Sequence, residues 1–133
     1  MSARIRDEDY VTLAAFRHQL RGFLRFSQEA AEGVGLKPQQ HQALLSIRGS
    51  RDRRLSISAL ADHLLLKRHS VSELVDRLEG QGLVRRVADH KDGRVVTVSL
   101  TPKADELLAS LSAAHRAELR RVGPLLTGLL ESL

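Results

Sequence analysis

The sequence predicts a mostly α protein with a small β-hairpin wing (α+β), in which helical regions at both ends frame a central helix-turn-helix and hairpin. Three observations carry this. Apolar residues recur at helical spacing along residues 8–32 and again beyond residue 102. Two short apolar stripes of identical spacing lie between them, and two β-branched runs then meet across an Asp-Gly turn.

Leu13, Phe16, Leu20, Phe23 and Leu24 recur every three or four residues, so residues 8–32 form an amphipathic helix. The glycines of GVG (33–35) stop it. Pro38 suits the first position of a second helix, which runs to about Arg48 with Gly49 just beyond it. RGSRDRR (48–54) reads as a polar, strongly basic loop, and LSI (55–57) as a short extended piece.

Ile57, Leu60, Ala61 and Leu64 occupy positions i, i+3, i+4 and i+7, and Val71, Leu74, Val75 and Leu78 repeat the spacing. Each set is one stripe on a short helix, with about five residues, roughly 65–69, between the two. Ser58 and Ser70 stand where N-caps or first-turn residues fall, and Gly82-Leu83 fits a helix C-terminus with its closing apolar contact. Helices that bury facing stripes across a tight turn make a helix-turn-helix. LVRRVAD (83–89) and RVVTVSL (94–100) follow as strands joined by HKDG (90–93). The whole order is that of a winged helix-turn-helix.

From Thr101, a cap, and Pro102, in the first turn, a long helix carries Leu107, Leu108, Leu111, His115, Leu119 and Val122. Gly123-Pro124 is expected to break it and leave a short leucine-rich helix over PLLTGLLESL. A leucine stripe with little of its own domain to cover invites a partner helix.

A chain of 133 residues, 42% hydrophobic and 28% charged, has room for one globular domain. The absence of cysteine excludes disulfides, thiolate metal sites and cysteine nucleophiles. MSARIRDEDYV lacks the apolar core of a signal peptide, and no apolar run approaches 18 residues, so a soluble, cytoplasmic protein without membrane partners is expected. Residues 48–103 hold twelve Lys/Arg against seven Asp/Glu, whereas the flanks hold nine of each. The entire net charge of +5 therefore belongs to the central segment, which suits a polyanion partner.

KRHSVSELVDRLEGQGLVRR (67–86), the D-x-R at Asp92 and Arg94, and SLT (99–101) resemble the MarR family of winged helix-turn-helix transcription regulators. The resemblance runs over nearly the whole chain. It implies a homodimer on palindromic double-stranded DNA, usually a repressor, in many members released by a small phenolic or lipophilic ligand. On it, residues 1–36 are an N-terminal dimerisation helix, 37–104 the DNA-binding lobe and 105–133 C-terminal dimerisation helices. Three positions depart from the family pattern: Ala104 stands where glycine is common, Lys37 where a capping threonine is usual, and Glu73 where a basic residue is frequent. Glu73 would either accept from cytosine or, the preferred reading, pair with Arg77 at i+4.

The second helix of the motif presents Arg68, His69, Ser70, Ser72, Glu73 and Arg77 opposite its apolar stripe, and residues near such an N-terminus are those a major groove receives. At the hairpin tip Lys91 and Arg94 suit phosphate or a narrow minor groove, with Asp92 orienting the Arg94 guanidinium. Arg51, Arg53, Arg54 and Lys67 are weaker phosphate candidates. By analogy with the family, an effector pocket lies between the lobes near Phe16, Leu20, Phe23 and His41. The histidines, His18, His41, His63, His69, His90 and His115, show no metal-ligand spacing, so neither metal nor cofactor is expected. His41 and His115 are candidates for an interdomain cavity, or are satisfied histidines near the core. No nucleophile elbow, phosphate loop or carboxylate pair marks an enzyme. Two alternatives stay open: a winged-helix protein-interaction module, and a zinc-dependent regulator of the same fold.

Overall fold

The computed structural model describes residues 4–88 and 96–133. Five helices and three strands follow in the order α1 (Asp7–Gly33), α2 (Pro38–Arg48), β1 (Arg54–Ser56), α3 (Ile57–Leu64), α4 (Arg68–Gly80), β2 (Val84–Ala88), β3 (Val96–Leu100) and α5 (Pro102–Glu131). The strands form one antiparallel sheet ordered β1-β3-β2, so the short extended piece before α3 becomes its third strand. Leu44 and Ile47 of α2, Leu60 of α3, Val71, Val75 and Leu78 of α4, and Val98 of β3 are completely buried together. This core joins the helix-turn-helix to the sheet, while α1 lies along α5.

One helix-ending device recurs three times. After α1, Leu36 N–H donates to Ala31 O and Gly35 N–H to Glu32 O, with Gly35 left-handed at φ +81°. After α4, Leu83 N–H donates to Leu78 O and Gly82 N–H to Glu79 O, with Gly82 at φ +73°. Each is a Schellman closure, in which a left-handed residue lets two carbonyls of the last turn find donors. After α3 the same bonds run from Leu66 N–H to Ala61 O and from Leu65 N–H to Asp62 O, but the left-handed residue is Leu65, at φ +56°.

Several expectations are corrected. The cap of α3 is Ser56, whose hydroxyl accepts from Ala59 N–H; Ser58 lies in the first turn. The turn between α3 and α4 has three residues, 65–67, because α4 already begins at Arg68. Lys67 is its N-cap, and Ser70 sits within the first turn rather than capping. Part of the basic loop is a short 3-10 turn, Arg51–Arg53, with Asp52 and Arg53 left-handed at φ 60° and 57°.

The largest correction is at Gly123-Pro124, where α5 does not break but continues to Glu131. Proline removes one N–H donor and crowds the carbonyl one turn back, a local penalty. The apolar stripe crosses it without a change of phase: Val122 is buried, and Leu126 and Leu129 are half-buried on the same face. The separate terminal helix therefore does not exist. At the other end of α5 the expected cap holds, since Thr101 Oγ1 accepts from Ala104 N–H. Ala104 itself is fully buried, so its methyl fills part of the core.

Candidate nucleic-acid interface

Helix α4 is divided lengthwise. Val71, Leu74, Val75 and Leu78 are buried, while Arg68, His69, Ser70, Glu73 and Arg77 are exposed and Ser72 is half-buried. The buried stripe fixes the rotation of the helix and so determines which side chains face outward. Lys67, exposed at the N-cap, offers no side-chain acceptor, and the first-turn amides join the cationic end of the helix.

Glu73 does not pair with Arg77. Its Oε1 lies 3.3 Å from His69 Nε2, one turn earlier. Helical side chains lean toward the N-terminus, which carries Glu73 toward residue 69 and away from residue 77. Arg68 and Arg77 consequently form no ion pair among the described residues. Arg77 instead borders a groove of about 280 Å³ with Leu74 and residues 37–40 at the start of α2.

That helix start is completed without the usual threonine. Gln40 Oε1 accepts from the Lys37 backbone N–H at 3.0 Å, and Gln40 Nε2 donates to Gln81 Oε1 at 3.1 Å. The buried Gln40 thus caps α2 and ties it to the end of α4.

Arg86 is a bridging residue that the sequence reading did not single out. From β2 it reaches both Asp76 and Glu79 on α4, fastening the wing to the helix. The signal was present: an arginine on a strand, seven and ten residues after two acids three apart on a helix. Arg51, Arg53 and Arg54 are exposed beside the sheet. Lys91, Asp92 and Arg94 of the wing lie outside the described residues.

A second feature lies where α2 meets α1 and α5: a cleft of about 340 Å³. Phe23, Leu24 and Ser27 line it from α1, His41, Gln42 and Leu45 from α2, and Ser112, His115 and Leu119 from α5. Of the expected pocket residues it includes Phe23 and His41. Phe16 and Leu20 lie on the same stripe of α1 but about two turns and one turn too early, respectively, to border it. His115 Nδ1 is 2.7 Å from Leu111 O and its Nε2 is 2.7 Å from Ser27 Oγ. The His41 ring lies 4.9 Å from it, and the edges of Phe23 and Phe26 complete the surround. His41 is 2% exposed and its Nδ1 has no hydrogen-bond partner among the described residues, so it is not the satisfied core histidine that was one of its expected fates. Burial, and then the nearby His115, hold its pKa below the ordinary histidine value.

Among the described residues no group of three or more His, Cys, Asp or Glu is placed to hold a metal ion. No described helix is long and apolar enough to cross a membrane.

Comparison with known proteins agrees with this geometry. The model of the MarR family matches residues 34–95. The chain is 33% identical over 101 residues to the HTH-type transcriptional repressor MdtR of Bacillus subtilis (strain 168), an alignment covering 74% of this chain and 63% of that protein. The structure is similar to that of AbsC, a MarR family transcriptional regulator from Streptomyces coelicolor, with TM-score 0.73 and 22% identity over 90% of this chain and 81% of that one. Sco3205 from the same organism, a MarR family transcriptional regulator solved in complex with DNA, superposes with TM-score 0.71 and 22% identity over 91% of this chain and 76% of that one.

Proposed function

Since the chain belongs to the MarR family, we propose that it is a homodimeric, sequence-specific DNA-binding regulator that represses transcription from a palindromic operator. The observation that carries this reading is the division of α4, whose buried stripe seats the helix while Arg68 and Arg77, without an ion pair among the described residues, stand on its exposed face. In the proposed complex the N-terminus of α4 enters the major groove, where Arg68 reads guanine O6 and N7. Ser70 donates to a base or phosphate, Ser72 contributes from the edge of the face, and Arg77 and Lys67 meet phosphate. Lys91 and Arg94 of the wing enter the minor groove, with Asp92 orienting Arg94, and Arg51, Arg53 and Arg54 add phosphate contacts. MdtR's designation as a repressor supports the direction of regulation.

Dimerisation is supported by exposed apolar side chains at the free ends of the α1/α5 pair: Ile5, Tyr10, Val11 and Leu13 on one side, Leu125, Leu130 and Leu133 on the other. A two-fold dimer of this kind sets its two α4 helices about 34 Å apart, one turn of the duplex. The α1/α2/α5 cleft suits a small, mostly apolar effector. Such a ligand releases the operator by binding better to a conformation with the wrong spacing. A regulator of this kind works with its DNA in the cytoplasm. In vitro selection from a randomised duplex pool tests the function: a palindrome bound by one dimer is expected, and a pool without enrichment contradicts it.

A further inference from the structure

We propose that the His41–His115 contact is a proton-operated joint between the helix-turn-helix lobe and the α1/α5 pair, closed while His41 is neutral and opened when it takes up a proton. His41 belongs to α2, which also supplies Ala43, Leu44 and Ile47 to the core of the lobe and is tied to α4 through Gln40. His115 belongs to α5 and is held to Ser27 of α1. The two imidazoles, 4.9 Å apart, meet across the seam between these bodies.

The two rings differ in what a proton would do to them. Neutral His115 donates from Nδ1 to the Leu111 carbonyl and accepts at Nε2 from the Ser27 hydroxyl; charged, it donates from Nε2 to the same oxygen. It is satisfied in either state. A charged His41 must donate from both ring nitrogens, and its Nδ1 is buried with no acceptor among the described residues.

Among the described residues that line the cleft beside His41, none carries a negative charge. The residues facing the cleft are Phe23, Leu24 and Ser27 from α1, Gln42 and Leu45 from α2 itself, and Ser112, His115 and Leu119 from α5. His115 is the sole titratable group among them, and its charge repels another. Opening the seam lets water reach Nδ1 and separates the rings.

The direction of the pH effect follows. In the closed form the His41 pKa is held below the ordinary 6.5, by burial first and His115 second. An open, hydrated His41 returns toward that ordinary value. The closed form therefore keeps its full advantage above pH 6.5 and loses it as the pH falls through the depressed value. One proton per chain shifts the closed-to-open ratio by at most about tenfold per pH unit. The joint rests on the chain's own packing; weaker operator binding on opening, through altered spacing of the α4 helices, rests on the proposed function.

The test is a side-chain NMR titration of the full chain, following imidazole signals together with the methyls of Leu45 and Leu119, for wild type, His41→Gln and His115→Gln. His41 is expected to titrate below 6.5, with both methyls moving at the same midpoint. That movement should vanish in His41→Gln, and the His41 midpoint should rise in His115→Gln. A His41 midpoint at or above 6.5, or methyls that stay still while His41 titrates, would overturn the joint; so would methyls that move equally in His41→Gln. If His41→Gln does not fold, the wild-type and His115→Gln titrations decide. No DNA is present, so failure here is distinct from failure of the regulator reading.

Discussion

Arg86 on β2 donates through Nη2 to Asp76 Oδ1 on α4 at 2.6 Å, and the same guanidinium reaches Glu79 Oε1 through Nη1, also at 2.6 Å. One forked side chain thus fixes the wing strand against two positions, about one turn apart, on the helix proposed to read DNA. The carboxylates are partly exposed, at 64% and 44%, so the network adds little stability for its geometry. Its value is the relative placement of two elements proposed to contact DNA. Arg86→Ala is expected to cost about 1 kcal/mol or less in denaturant unfolding while clearly weakening operator binding. Arg86→Lys restores one charge but not the fork, and should recover only part of the affinity. Unchanged affinity in Arg86→Ala would show that the wing is held by the sheet alone.

Leu65 occupies the position that glycine fills in the other two Schellman closures, and its side chain is 90% exposed. It accepts a left-handed backbone without any burial in return. Leu65→Gly relieves strain of about 1–2 kcal/mol, offset in part by the freer unfolded chain. The expected net effect is stabilisation by about 0.5–1 kcal/mol, read from the urea midpoint at unchanged m-value. A lower midpoint would mean that the Leu65 side chain packs on something in solution.

Most of the fold was legible in the sequence because its punctuation is local. Pro38 and Gly49 bound α2, Thr101-Pro102 opens α5, and Gly82-Leu83 closes α4, each by a rule acting within a few residues. Gly123-Pro124 misled for the same reason: read as a local stop, it was overridden by the uninterrupted Val122, Leu126, Leu129 stripe, which was equally visible. The outward face of α4 could be listed in advance, since its buried stripe determines it. Which neighbour Glu73 takes could not, because residues 69 and 77 are equally spaced from it and only side-chain tilt favours His69. The cleft was half legible. The stripe Phe16, Leu20, Phe23 was right in phase, but where α2 crosses α1 depends on tertiary packing, as does the bond between Ser27 and His115, 88 residues apart.

Thr101 joins three elements at the base of the wing. Its Oγ1 caps α5 through Ala104 N–H and donates to Gly82 O at 2.7 Å, while its N–H donates to Leu83 O at 3.0 Å. Thr101→Val keeps the shape and the backbone bond but removes both hydroxyl bonds. The expected loss is about 1–2 kcal/mol, and Thr101→Ser should recover most of it. Thermal unfolding of the three proteins side by side measures both effects.

The exposed leucines at the end of α5 bear on assembly. Leu125 and Leu130 are 50% and 56% exposed in the single chain. If they lie in the dimer interface, Leu125→Glu with Leu130→Glu places charge in an apolar contact and should yield a folded monomer by light scattering, with operator affinity lost. A wild-type chain that is itself monomeric at micromolar concentration would contradict the dimer.

The most direct test of the central claim, that the exposed face of α4 binds DNA, is an anisotropy titration of the selected palindrome with wild type, Arg68→Ala and Arg77→Ala across a range of salt concentration. Arg68→Ala is expected to cost about 1–3 kcal/mol and relax the preference for one base pair, whereas Arg77→Ala weakens all duplexes alike and lowers the salt slope by about one. If both variants bind as tightly and as selectively as wild type, this face of α4 is not the DNA-binding surface.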